Sequence, residues 1–107
     1  MGLDVTLTKV MPTEVFSANI THNLNDMAEA AGIYKHLWRP EEIGVKLAGQ
    51  LVTPLMEGLH KIKSDPAKYR EFDSPNGWGT YDHFVRWLEE YLDACARFPD
   101  AEVRADR

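Results

Sequence analysis

"TYDHFVRWLEEYLDACARFPDAEVRADR", residues 80–107, changes its hydrophobic period once, and that change sets the fold class. Tyr81, Phe84, Val85, Leu88, Tyr91, Leu92 and Cys95 recur at helical spacing, one apolar stripe of an amphipathic helix. Thr80 is placed to cap its first turn, Arg86 and Glu90 to pair on its outer face, and Pro99 to stop it. Beyond Pro99 the period drops to two: Ala101, Val103 and Ala105 alternate with polar residues, as in a half-buried strand.

That strand needs a partner, and the other end of the chain offers one. Leu3, Val5 and Leu7 alternate with Asp4, Thr6 and Thr8, and Pro12 ends the run. A two-stranded ribbon is unstable alone but stable when packed on helices. The expectation is therefore an α+β fold, mostly helical: three to five helices packed with a short N-terminal and a short C-terminal strand that pair. A chain of 107 residues is one domain by length. An exposed edge of the ribbon would allow a homodimer.

The middle reads as helices. Ile20, Leu24, Met27, Ala28 and Ala31 form a stripe, with Gly32 at the left-handed C-cap position, so a helix is expected over 20–31. "TEVFSA" (13–18) is either a second short strand or the lead into that helix. "IYKHLWRPEEIG" (33–44) is an aromatic-rich connection in which Pro40, Glu41 and Glu42 resemble a helical first turn. Residues 45–63 carry Leu47, Leu51, Leu55, Leu59 and Ile62 at helical spacing, but Pro54 points to a kinked or broken pair. Asp65 and Pro66 begin a short helix, and "DSPNGWGTY" (73–81) is loop.

Composition excludes several function classes. A net charge of −5 argues against a protein held to nucleic acid by phosphate contacts. The one basic stretch, "HKIKSDPAKYR" (60–70), reads as a solvated helix end. A single cysteine rules out an internal disulfide and a cysteine metal cluster. Cys95 lies on a buried stripe, where a thiol is inert. No apolar run is long enough for a membrane span, and the N-terminus has no secretory pattern. Gly2 with Thr6 fits the myristoylation rule only loosely, and the sequon at Asn19 means nothing without secretion. A cytoplasmic protein is expected. Both phosphate-loop patterns are absent, no three-ligand metal motif exists, and neither cofactor nor metal is expected.

Candidate chemistry falls at two places. On the expected 20–31 helix, His22, Asp26 and Glu29 share the outer face, and His22 with Asp26 has the i, i+4 spacing. Asn19 and Asn23 lie at the border of the apolar stripe, where an amide must find partners. They either bind a loop of the same chain or face a cleft. The aromatic loops would form the rest of that cleft, through Trp38 and Arg39 in one, and Trp78 and Tyr81 in the other. The glycines beside Trp78 would let backbone approach a ligand.

"ANITHNLNDMAEAAGIYKHLWRPEE" together with "SPNGWGTYDHF" resembles a group of small uncharacterised bacterial and phage-encoded proteins. The resemblance spans most of the chain. It implies a cytoplasmic, prophage-associated protein and carries no catalytic residue with it.

Three functions remain open from sequence. The first is a non-enzymatic binding domain for a small polar ligand or a protein partner, with Asn19, Asn23, Trp38, Arg39, Trp78 and Tyr81 as contacts. The second is a small enzyme using His22 or His36 with a carboxylate, with or without a metal. The third is an acidic immunity or anti-defence protein that covers a basic surface.

Overall fold

A computed structural model describes residues 2–8, 14–75, 77 and 79–107 of the chain. Its elements are β1 (Gly2–Thr8), β2 (Glu14–Thr21), a 3-10 turn (His22–Leu24), α1 (Asn25–Ala30) and α2 (Tyr34–Trp38). A second 3-10 turn (Pro40–Ile43), α3 (Gly49–Ser64), α4 (Pro66–Arg70), α5 (Tyr81–Arg97) and β3 (Glu102–Asp106) follow. The architecture is α+β and mostly helical, as the period change predicts.

The three strands form an antiparallel sheet in the order β2-β1-β3, so the two termini pair. Alternation sorts its faces. Leu3, Val5 and Leu7 are fully buried, opposite Ile20, Ala18 and Phe16 of β2 and beside Val103 and Ala105 of β3. The other face carries the exposed Asp4, Ser17, Asn19, Arg104 and Asp106. "TEVFSA" thus resolves as strand from Glu14 onward, and Pro12 lies outside the described residues.

The expected 20–31 helix starts later than its stripe suggests. Ile20 belongs to the strand set Phe16–Ala18–Ile20 and pairs with Leu3, while also lying four residues before Leu24. It satisfies both periods, and the burial available against β1 decides in favour of the strand. Thr21 then takes the capping role, its Oγ1 accepting from the Asn23 backbone N–H at 3.5 Å. At the far end Gly32 is left-handed, φ 78°, with Gly32 N–H to Glu29 O and Ile33 N–H to Ala28 O, a Schellman termination.

Pro54 breaks nothing. α3 is one continuous helix, with Leu51, Leu55, Gly58 and Ile62 buried along a stripe that packs on α5. Proline at the sixth position removes a single hydrogen bond near the helix start. Packing on both sides of it holds the helix through the interruption. The N-terminal approach is tied instead by the Gln50 side chain, whose Oε1 accepts from the N–H groups of Lys46 and Leu47 at 2.7 and 2.9 Å.

α5 is the central helix. Thr80 Oγ1 accepts from His83 N–H at 3.4 Å, and Asp73 Oδ1 accepts from Tyr81 N–H at 2.7 Å. Its apolar stripe is buried, and Phe16 of β2 stacks on Tyr91 with ring centres 5.9 Å apart. The structure adds Trp87 to the stripe predicted from sequence.

Candidate binding groove

The end of β2, the start of β1 and the loop before α5 meet in a groove of about 600 Å³. Three glycines line it: Gly2, Gly77 and Gly79. The loop turns through Gly77 N–H to Ser74 O and Ser74 N–H to Gly79 O, with left-handed glycines at φ 78° and 95°. A Cβ on Gly79 would stand 2.8 Å from Thr21 Cγ2, so the loop backbone lies directly on the end of the strand. On Gly2 it would meet Ile20 O at 2.7 Å and Asn19 Nδ2 at 3.2 Å. Missing side chains thus bring backbone to the groove wall.

Asn19, Thr21 and His83 supply its polar side chains. Asn19 is a strand residue whose Nδ2 donates to Asp4 Oδ1, its cross-strand neighbour, at 2.7 Å. The amide nitrogen is thus committed to this chain, and among the described residues no hydrogen bond reaches the amide oxygen. His83 sits exposed in the first turn of α5. The arrangement offers hydrogen-bonding groups and backbone around a small apolar floor from Ile20, which suits a polar group held by hydrogen bonds.

Asn23, Trp38, Arg39 and Tyr81 are not among the described residues that line this groove. Asn23 is exposed and lies beneath the loop, its Cβ 3.3 Å from where a Gly79 Cβ would be. Trp38 is a fully buried core residue of α2 and has no face on a cleft. Its indole N–H donates to His22 Nδ1 at 3.0 Å, and its ring stacks on Tyr34. The short helix α2 turns it inward. Arg39 remains at the surface, bonding Tyr34 Oη at 3.3 Å and Glu42 at 3.0 Å, and the Tyr34 hydroxyl is the main cause that raises its pKa. Tyr81 is buried, its hydroxyl donating to Ile62 O at 3.2 Å, with the Arg70 guanidinium 4.5 Å above its ring. Trp78 lies outside the described residues.

The histidines considered for catalysis are also placed. His22 is outside the helix that would have aligned it with Asp26, and it serves Trp38 and faces Asn25. His36 has a buried Nδ1 with no partner among the described residues, and burial lowers its pKa. Burial pushes the Cys95 thiol up to about 12. Among the described residues no three of His, Cys, Asp and Glu gather at metal-holding distance, and no helix is long and apolar enough to cross a membrane.

Gly2 and Thr21 were not expected at a site, whereas Asn19 and the paired glycines around residue 78 were legible as residue types. Gly2 reaches the groove only through strand pairing, which sequence spacing does not encode. Comparison with family models, curated proteins and solved structures yields no match.

Proposed function

We propose that this protein is a non-enzymatic, cytoplasmic, prophage-associated binding domain. It recognises a polar group, either of a small ligand or displayed by a protein partner, in the groove at the end of β2. The observation that carries this reading is the convergence of Gly2, Gly77 and Gly79 on one groove beside Asn19, Thr21 and His83. Glycine at three separate points removes side chains where a ligand would otherwise meet bulk, and leaves peptide groups as hydrogen-bonding walls. The acidic charge of the chain suits a partner of opposite sign.

Native mass spectrometry of the protein purified from its host, paired with amide chemical shifts, tests the reading. A co-purifying molecule whose release moves the resonances of Asn19, Gly79 and His83 supports it. A bound molecule whose release moves other regions instead, or no bound molecule at all, refutes the assignment of the groove.

A further inference from the structure

The two edges of the sheet are treated differently. The β3 edge is guarded twice. Its residues alternate charge, Glu102, Arg104 and Asp106, and the segment before α3 covers its start, with Val103 N–H bonded to Lys46 O and Ala48 N–H to Ala101 O. Residues 16–21 of β2, "FSANIT", carry no charge and no proline, and among the described residues no backbone pairs with their outer side. Such an edge is a template for another strand unless something manages it.

α5 runs beside this edge. The groove already described joins the 19–21 end of β2 to His83. A second cavity, of about 370 Å³, joins Phe16 to Glu90, Asp93, Ala94 and Arg97. Five strand steps from 16 to 21 cover roughly 17 Å at ~3.3 Å each. Eleven helix steps from 83 to 94 also cover roughly 17 Å at ~1.5 Å each. The strand edge and the helix are therefore of matching length, with a cavity near each end.

We infer that the outer edge of β2 is the docking line for an extended segment of a partner protein. The segment adds as a fourth strand, with a basic residue at the end that reaches Glu90, since Asp93 in the same cavity is held by Arg97 at 3.2 Å. This rests on the binding reading above and names its partner class. Main-chain hydrogen bonds supply affinity, and the two cavities select side chains at the ends. Charge selects this occupant over a second copy of the chain, because two copies would each bring a net charge of −5.

The test is selection of displayed random octapeptides on the full chain, followed by synthesis of the selected peptides. Expected are peptides rich in β-branched residues with a terminal Lys or Arg. Their binding protects every second amide within 16–21 from hydrogen exchange, and it weakens severalfold when alternate peptide amides are N-methylated. Glu90→Lys, on the exposed face of α5, weakens binding severalfold without changing the fold. Three results overturn the inference. In the first, no peptide is selected. In the second, peptides bind without protecting β2; shifts confined to Asn19, Gly79 and His83 then leave the groove reading standing alone. In the third, a concentration-dependent dimer protects β2 without peptide, which assigns the edge to a second copy.

Discussion

Replacing Gly79 with alanine probes the contact that builds the groove. Gly79 has φ 95°, a conformation that costs an L-residue about 1–2 kcal/mol. Its new Cβ would stand 2.8 Å from Thr21 Cγ2 and 3.3 Å from both Asn23 Cβ and Leu24 Cγ. Thr21 is β-branched and held in a strand, so it yields little, and overpacking of this kind costs about 1–3 kcal/mol. The sum is about 2–5 kcal/mol. Gly77→Ala is the internal control: its φ is 78°, but none of the described residues lies within 4 Å of its Cβ position, so only the backbone cost applies. Urea unfolding followed by tryptophan fluorescence should place the midpoint of Gly79→Ala below that of Gly77→Ala. With a slope of about 1–3 kcal/mol per molar, the gap should be on the order of 1 M. Equal midpoints would mean that the loop does not lie on β2, and the groove as described would not exist.

Three further outcomes follow from buried polar groups. The Tyr91 hydroxyl is buried with no partner among the described residues, so Tyr91→Phe should leave stability unchanged or raise it by up to about 1 kcal/mol; a clear loss would mean the hydroxyl is satisfied. Burial lowers the His36 pKa below 6.5, so the unfolded chain binds more protons than the folded one in that window. Stability contributed by neutral His36 is present above 6.5 and is lost as pH falls toward the folded pKa. Denaturation at about pH 8 and about pH 5 should show a smaller loss in His36→Gln than in wild type, and equal losses would contradict the sign. Cys95, with its thiol pushed up to about 12, should resist a thiol reagent in the native protein and react at once on unfolding.

The parts of the fold legible in sequence are those where one period stood uncontested. β1, β3 and α5 each carry a single pattern, and the caps at Thr80 and Asp65 and the termination at Gly32 sit where their residue types predict. Ile20 was ambiguous because it fits a helical stripe through Leu24 and a strand face through Ala18. Only the presence of Leu3 across the sheet separates the two. Pro54 left one kinked helix and two helices open, because its local cost is certain while the packing of α3 on α5 that offsets it is tertiary. Of the candidate site, Asn19 and the loop glycines were visible as residue types. Trp38 was not legible as a core residue, since its hydrogen bond to His22 spans sixteen positions. Asn19 and Asp4 pair only because β1 and β2 set that register.

Among the described residues the β2 edge beside α5 is unpaired, and amide hydrogen exchange of the protein without added peptide reads that edge. Every second amide within 16–21 should exchange orders of magnitude faster than those of Val103 and Ala48, which are bonded to Lys46 O and Ala101 O. Uniform protection along β2, equal to that of Val103, would show the edge already paired and would rule out the docking line.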